Sequence, residues 1–222
     1  MKLLIFDLDG TLIDSQQDLA SSVNAAREHM GLGPMPLEII ASYVGNGAPV
    51  LMRRAMGPQA SEAEVRLALE YFLAFYRQHM LDHTCLYPGV RGALDRFQEA
   101  KVAMAVLTNK PVRFSQGIVD GLGLHGHFFR VYGGNSFEQK KPDPVGVYRL
   151  LEEAGATEAC AMMVGDSAVD IRTARNANIR ACGVRYGFQP EGFEGDPPDI
   201  LVDNMQELAD IVLAGRQETG KR

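Results

Sequence analysis

Cysteine is scarce in this sequence of 222 residues, which contains three, at positions 85, 160 and 182. They are far apart and lack the close spacing of paired metal ligands. The sequence therefore predicts neither a disulfide framework nor a zinc site, and we expect all three thiols to be reduced.

Long apolar runs are also missing. No uninterrupted stretch approaches the ~20 residues that a membrane span requires. The apolar run near the N-terminus ends at Asp7 and is shorter than the roughly 7–15 residues of a signal-peptide core. We therefore expect a soluble, cytoplasmic protein with no membrane partner.

A surplus of basic residues is absent as well. Lys and Arg together number 22 and Asp and Glu number 28, which gives a formal net charge of −6. Without basic clusters, such a chain is poorly suited to binding a nucleic-acid backbone or an anionic membrane. The composition is otherwise that of an ordinary globular protein, with 46% hydrophobic residues.

The first part of the chain changes its apolar periodicity once. An apolar run at residues 2–8 predicts a buried strand, whereas residues 15–83 follow helical spacing interrupted by glycine and proline. This second pattern predicts a bundle of about four helices. The organisation expected is a small helical domain of residues 15–84, inserted into a larger domain of residues 1–14 and 85–222.

Beyond residue 89, predicted strands alternate with predicted helices. The strands are at 102–108, 131–132, 160–165, 179–184 and 200–202, and the helices at 112–122, 144–154, 167–177 and 205–213. Alternation of this kind implies a parallel sheet with helices on both faces. The predicted fold class is therefore α/β, with a Rossmann-like core and an inserted helical domain.

Polar and charged residues follow the predicted strands. They are Asp7, Asp9, Gly10 and Thr11 after the first strand, Thr108, Asn109 and Lys110 after the second, the loop 140–144 after the third, and Asp166, Ser167 and Asp170 after the fourth. Ligands of an open parallel sheet bind beyond the carboxyl ends of its strands. We therefore expect these residues to form one site.

The carboxylates among them restrict the chemistry of that site. Clustered carboxylates stay ionised together only when a cation lies between them, and oxygen ligands without His or Cys favour Mg²⁺. A lysine and a threonine hydroxyl suit the oxygens of a phosphate. The residues predict Mg²⁺-assisted phosphoryl transfer, with a carboxylate available as nucleophile.

Four segments resemble the motifs of the haloacid dehalogenase (HAD) superfamily of phosphatases. In chain order they are FDLDGTL at 6–12, VLTNK at 106–110, KKPDP at 140–144 and VGDSAVD at 164–170. The resemblance extends over the whole chain and implies that the helical domain is a cap. YVGNGAPVLMRRA at 43–55, YPGV at 87–90, GGNSFEQKKPDP at 133–144 and VRYGF at 184–188 resemble the phosphoglycolate phosphatase subfamily.

The resemblance implies catalytic roles for two aspartates. Asp7 would attack phosphorus and become an aspartyl phosphate, and Asp9 would protonate the leaving group and then activate water. Dehalogenases lack the second aspartate, so its presence favours a phosphatase.

The resemblance also implies which residues bind phosphate and metal. Gly10, Thr108, Asn109 and Lys141 would bind the phosphate. Asp7, the Asp9 carbonyl and Asp166 would bind Mg²⁺, and Ser167 and Asp170 would complete or orient that shell.

The helical domain would recognise the rest of the substrate. Gly45, Asn46 and Gly47 form a turn whose N–H groups suit a small carboxylate at a helix N-terminus, and Arg53 or Arg54 could add a cation. The resemblance favours Arg54. The substrate expected is a small phosphorylated carboxylic acid, 2-phosphoglycolate, which would give glycolate and phosphate.

Other interpretations stay open at this point. The enzyme could be an inorganic pyrophosphatase, another small phosphomonoesterase or a β-phosphoglucomutase, or the chain could be a silent phosphate-binding module. Thr108 could cap a helix beginning near Pro111, Asp170 could be a first-turn helix carboxylate, and Gly45 and Gly47 could simply connect two helices. The sequence is compatible with a monomer or a homodimer.

Overall fold

The computed structural model describes residues 1–219, which fall into two compact units. The first comprises residues 1–13 and those from 86 onward, and the second comprises residues 14–85. The chain passes between the units at two short strands, which pair as a two-stranded sheet.

The strands are β1 (Leu3–Phe6), β2 (Ile13–Asp14), β3 (Cys85–Leu86), β4 (Ala103–Leu107), β5 (Arg130–Tyr132), β6 (Ala161–Gly165), β7 (Arg180–Val184) and β8 (Ile200–Val202). The helices are α1 (Gln16–His29), α2 (Leu37–Ser42), α3 (Ala48–Met56), α4 (Glu62–His79), α5 (Val90–Glu99), α6 (Val112–Gly121), α7 (Val145–Ala154), α8 (Ala168–Asn176) and α9 (Met205–Thr219).

The first unit is built on a six-stranded parallel sheet with the order β5-β4-β1-β6-β7-β8. Strand β1 lies between β4 and β6, in a register that places Leu3 beside Ala103 and Ala161. The chain adds strands on one side of β1 and then on the other. This reversal of strand order is where such sheets bind ligands, and the α/β fold class predicted from the sequence is confirmed.

Apolar side chains cover both faces of the sheet. Leu3 and Ile5 belong to a buried cluster that includes Val147 of α7 and Ile171 of α8. On the other face, the ring of Phe6 lies 6.3 Å from that of Phe97 in α5, measured between centroids. Burial of each such side chain contributes about 1.5–3 kcal/mol, and β1 is fully buried. The end of β1 is therefore held firmly in the core.

The second unit contains the four helices α1 to α4. Helix α4 begins with a capping box, in which Ser61 and Glu64 exchange side-chain to backbone hydrogen bonds. The buried carboxylate of Asp18 in α1 accepts bonds from the backbone N–H groups of His83 and Thr84 and from the Thr84 hydroxyl. These bonds tie the first helix of the unit to its last residues.

Two helices differ from the sequence prediction. Helix α5 was not predicted, although Val90, Ala93, Leu94 and Phe97 are buried at helical spacing. Helix α9 continues beyond residue 213 to Thr219. Among residues 1–219, no helix is both long enough and apolar enough for a membrane span.

Candidate active site

Three neighbouring strands bring polar residues to one edge of the sheet. Asp7 follows the last residue of β1, Thr108 follows β4 and Asp166 follows β6. Because the strands are adjacent and parallel, their carboxyl ends lie together. All three side chains are buried, with at most 6% of each residue exposed. This arrangement agrees with the prediction from the sequence that the ends of these strands lie together.

Three carboxylates form a compact acidic cluster at this edge. Asp7, Asp166 and Asp170 each offer an oxygen, and these oxygens lie within 4.8 Å of one another. Buried carboxylates at such distances repel strongly unless a cation balances them. The donors are all hard oxygen atoms, so the residues present fit a Mg²⁺ ion.

Lys141 already supplies one positive charge to the cluster. Its Nζ lies 2.8 Å from Asp7 Oδ1 and 2.6 Å from Asp170 Oδ1, and the side chain is almost fully buried. The adjacent Lys140, by contrast, is exposed. The structure thus places Lys141, and not its neighbour, beside the candidate nucleophile.

The electrostatics of the cluster follow from burial and from mutual repulsion. The pKa of Asp7 is raised to about 6, mainly by burial; the Lys141 ammonium opposes this shift, and the Asp170 charge adds to it. Burial and the charges of Asp170 and Asp7 also hold the pKa of Asp166 well above its usual range. Burial lowers the pKa of Lys141, but Asp170 and Asp7 outweigh that effect and raise it above its ordinary value. The cluster therefore favours an added positive charge, either a proton or a metal ion.

Asp9 lies outside this cluster and pairs with Lys110, which the sequence placed at the predicted site without a role of its own. Lys110 Nζ donates to both carboxylate oxygens of Asp9, at 2.9 and 3.1 Å. Lys110 is buried, with 7% of its surface exposed. Lys110 immediately follows Thr108 and Asn109 in the VLTNK motif. This position was the feature of the sequence that could have indicated a role in the site.

Thr108 and Asn109 are both buried, and each side chain forms a hydrogen bond with a backbone group nearby. Thr108 Oγ1 accepts a bond from the Lys110 N–H at 3.2 Å, and the Asn109 amide donates to the Lys141 carbonyl at 3.1 Å. Helix α6 has Pro111 at its N-cap position, and the first N–H of the helix, that of Val112, donates to Asn135 Oδ1 at 2.9 Å. The alternative in which Thr108 caps this helix is therefore wrong.

Ser167 and Asp170 form the beginning of α8. Asp170 Oδ2 accepts bonds from the Ser167 N–H at 3.1 Å and from the Ser167 hydroxyl at 2.7 Å. Asp170 is thus a first-turn helix carboxylate and also a member of the acidic cluster. The two interpretations of this residue are compatible, because one oxygen faces Ser167 and the other faces Lys141.

Two glycines allow the backbone to approach these carboxylates closely. A Cβ at Gly10, which has φ of +80°, would lie 2.2 Å from Asp166 Oδ2, and a Cβ at Gly165 would lie 2.2 Å from Asp170 Cγ. Both distances are far shorter than any van der Waals contact. Gly10, which the sequence analysis assigned to phosphate binding, therefore also borders the acidic cluster.

The residues predicted to recognise the substrate lie in the helical unit. Gly45 and Gly47 both have positive φ, and Gly47, which follows Asn46, is the N-cap residue of α3. Arg53 is held by the Ala60 carbonyl at 2.6 Å and by Glu62 at 2.5 Å. Arg54 is exposed and lies 5.9 Å from the centroid of the Tyr43 ring. Arg54 also donates to the Tyr43 carbonyl at 3.5 Å, so the shorter polar contacts of the two arginines are those of Arg53.

Known proteins resemble this chain over nearly its whole length. A family model described as haloacid dehalogenase-like hydrolase matches residues 4–184. Proteins named phosphoglycolate phosphatase are 37% identical in Chromobacterium violaceum, over 97% of this chain and 98% of the relative, and 37% identical in Vibrio vulnificus, over 96% of each. A crystal structure described as a predicted phosphoglycolate phosphatase from Haemophilus somnus superposes with a TM-score of 0.90, at 31% identity, covering 95% of this chain and 97% of that one.

Proposed function

This chain belongs to the haloacid dehalogenase-like hydrolase family and is a phosphatase, and we propose that its substrate is 2-phosphoglycolate, which it hydrolyses to glycolate and inorganic phosphate. The names of relatives similar over nearly their full length support this substrate. Dependence on Mg²⁺ and a covalent aspartyl phosphate on Asp7 are part of the same proposal.

The observation that carries the proposal is the environment of Asp7. Its carboxylate follows the central strand of the sheet, is buried, and lies 2.8 Å from the Lys141 ammonium. A carboxylate in this position is fixed, partly desolvated and next to a cation that can balance the charge of a phosphoryl group. Those are the properties that a nucleophile for phosphoryl transfer requires.

The reaction then proceeds in two displacements. A carboxylate oxygen of Asp7 bonds to phosphorus as the bond to the glycolate oxygen breaks, and Asp9 gives its proton to that leaving oxygen. In the second step Asp9 takes a proton from water as the water oxygen bonds to phosphorus. The bond between phosphorus and Asp7 breaks, which releases phosphate and restores both carboxyl groups to their starting states.

Lys110 holds the side chain of Asp9 in place, both as the acid of the first step and as the base of the second. A bidentate contact from a buried ammonium fixes the side chain rotamer, at 2.9 and 3.1 Å from the two oxygens. The Thr108 hydroxyl, the Asn109 backbone N–H and Lys141 would bind the phosphoryl oxygens. Thr108 Oγ1 accepts a bond from Lys110 and can still donate its own proton to a phosphate oxygen.

Asp7 and Asp166, with the carbonyl of Asp9, would hold the metal, while Ser167 and Asp170 would orient it. Bound Mg²⁺ would supply the positive charge that offsets the repulsion between these carboxylates and the phosphate. The all-oxygen donor set of the cluster supports this assignment.

Recognition of the substrate carboxylate is assigned to the helical unit. The N–H groups around Gly45, Asn46 and Gly47 begin helix α3, whose N-terminus favours a negative charge. Arg54 would add a cation, since Arg53 is engaged with Ala60 and Glu62. The Arg54→Ala variant is expected to raise KM for 2-phosphoglycolate and to leave hydrolysis of p-nitrophenyl phosphate unchanged. The matched Arg53→Ala variant should lower stability instead.

A comparison of substrates tests the proposed function. We expect kcat/KM with Mg²⁺ to be highest for 2-phosphoglycolate, measured beside p-nitrophenyl phosphate, pyrophosphate and β-glucose 1-phosphate. A higher value for pyrophosphate would make the enzyme a pyrophosphatase. Conversion of β-glucose 1-phosphate to the 6-phosphate would make it a mutase.

A further inference from the structure

The loop that leaves β7 packs against Asp166, one member of the acidic cluster. It consists of Tyr186, Gly187 and Phe188, which we call the β7 strap. We propose that this strap is a positioning element that fixes the carboxylate of Asp166 in the orientation needed to bind the metal. The inference rests on the proposed function, in which Asp166 is a metal ligand.

The first contact is a hydrogen bond to the carboxylate itself. The backbone N–H of Phe188 donates to Asp166 Oδ2 at 2.7 Å. The Thr11 hydroxyl lies 3.5 Å from the other oxygen, Oδ1. A short bond from a backbone N–H fixes the rotation of the carboxyl plane, and it is strongest when the accepting oxygen is ionised, as a metal ligand must be.

The second contact is steric and involves Gly187. A Cβ at this position would lie 2.1 Å from Asp166 Cβ and 2.6 Å from the Gly10 carbonyl oxygen. On the Gly10 backbone, a Cβ would lie 2.2 Å from Asp166 Oδ2. The side chain of Asp166 therefore occupies a slot between two glycine backbones, and there is no room for a side chain at either position.

The third contact anchors the strap to the loop that follows β1. The Tyr186 hydroxyl donates to the Thr11 carbonyl at 2.8 Å, and its ring lies 4.6 Å from that of Tyr87, measured between centroids. Both partners belong to the first unit. The strap is thus connected at one end to the segment carrying Asp7 and Asp9, and at the other to Asp166.

Such positioning matters because Mg²⁺ demands near-ideal octahedral geometry and tolerates displaced ligands poorly. Groups that orient a ligand typically change metal affinity by about 10- to 100-fold when they are removed. The repulsion within the cluster would otherwise turn Asp166 away from Asp7 and Asp170. The strap restrains it mechanically.

The experiment measures metal binding directly, with Mn²⁺ as a spectroscopic substitute that also prefers oxygen ligands. Free Mn²⁺ is followed by electron paramagnetic resonance as protein is added, with no substrate present. The test variant is Gly187→Ala, and the matched control is Gly195→Ala, where a Cβ would have no atom within 4 Å. Asp166→Ala marks the complete loss of the ligand.

We expect Gly187→Ala to weaken Mn²⁺ binding by about 10- to 100-fold and Gly195→Ala to bind as the wild type does. Equal affinity of Gly187→Ala and wild type would overturn the inference. If wild type and Asp166→Ala bind Mn²⁺ equally, the metal assignment in the proposed function fails, and the inference fails with it. The two kinds of failure are therefore distinguished by which pair of proteins agrees.

A milder pair of variants keeps the test decisive if Gly187→Ala does not fold. Tyr186→Phe removes only the hydroxyl bonded to Thr11, and Tyr148→Phe removes a comparable hydroxyl in α7, which donates to the Asn176 carbonyl at 3.2 Å. Tyr186→Phe should weaken Mn²⁺ binding by roughly 2- to 10-fold, the effect of one neutral hydrogen bond. Unchanged affinity in Tyr186→Phe, or an equal loss in both, would contradict positioning by the strap.

Discussion

The contribution of Lys141 to stability can be measured by replacing it with methionine. This substitution removes the charge and keeps most of the side-chain volume. The substitution leaves Asp7, Asp166 and Asp170 buried together without the ammonium that contacts two of them. In the metal-free protein, we expect this substitution to lower the free energy of unfolding of the first unit markedly. The matched control is Lys140→Met, since Lys140 is adjacent and exposed.

The magnitude follows from the two distances. Ion pairs of 2.8 and 2.6 Å are worth roughly 6 kcal/mol each at an effective dielectric constant of about 20. The cost of burying the Lys141 ammonium cancels much of this attraction. Removal of one partner of a buried pair typically costs about 3–5 kcal/mol, and we expect a loss of that size at pH 8.

The pH dependence of this loss has a definite sign. The pKa of Asp7 is raised from 3.8 to about 6, so the folded protein holds a proton that the unfolded chain releases between these values. This group therefore makes stability fall as pH rises through that range. Without Lys141, which opposes the shift, protonation extends to higher pH. The deficit should be small at pH 5 and largest at pH 8.

The assay is urea unfolding of the metal-free proteins at both pH values, followed by far-UV circular dichroism. Lys141→Met should show the full deficit at pH 8 and a much smaller one at pH 5, while Lys140→Met should match wild type. Equal stability of the two variants at pH 8 would refute the reasoning, as would a deficit that does not change with pH.

Three further predictions concern the nucleophile, the metal and the helical unit. Asp7→Asn should lower kcat for 2-phosphoglycolate and p-nitrophenyl phosphate by a factor on the order of 10⁴ or more, with an unchanged circular dichroism spectrum; retained turnover would exclude Asp7 as nucleophile. The affinity for Mg²⁺ should rise with pH through about 6, because Asp7 must lose its proton, and calorimetry in two buffers should detect proton release; an affinity that is independent of pH would contradict this. Asp18→Asn should lower the free energy of unfolding of the helical unit by about 1.5–3 kcal/mol, because its carboxylate accepts bonds from His83 and Thr84; an unchanged urea midpoint would show that these bonds contribute nothing.

Much of the site was predictable because of where the buried strands end. Asp7, Thr108 and Asp166 each follow an apolar run, and adjacent parallel strands necessarily bring such residues to one edge. The apolar residues of α5 also have helical spacing. Gly92 within the helix lowers its intrinsic helix propensity, however, and together with Gly89 at the N-cap it gives the segment the composition of a loop.

The contacts between distant segments were not predictable in the same way. The bond between Lys110 and Asp9 joins residues 101 positions apart, and either residue could have faced elsewhere. The need for glycine at position 187 arises from the approach of Asp166 and Gly10 in space. A sequence read alone shows that a glycine is present, but not which atoms would occupy the place of its missing side chain.

The central claim, that Asp7 forms a covalent intermediate which Asp9 helps to hydrolyse, is tested most directly by pre-steady-state kinetics of Asp9→Asn. Its substrate should be p-nitrophenyl phosphate, whose leaving group needs no proton. With Asp9 removed, the first displacement should outrun the second, and we predict a burst of about one p-nitrophenolate per chain followed by slow turnover. Asp7→Asn should show neither phase. A linear time course for Asp9→Asn, without a burst, would contradict the account.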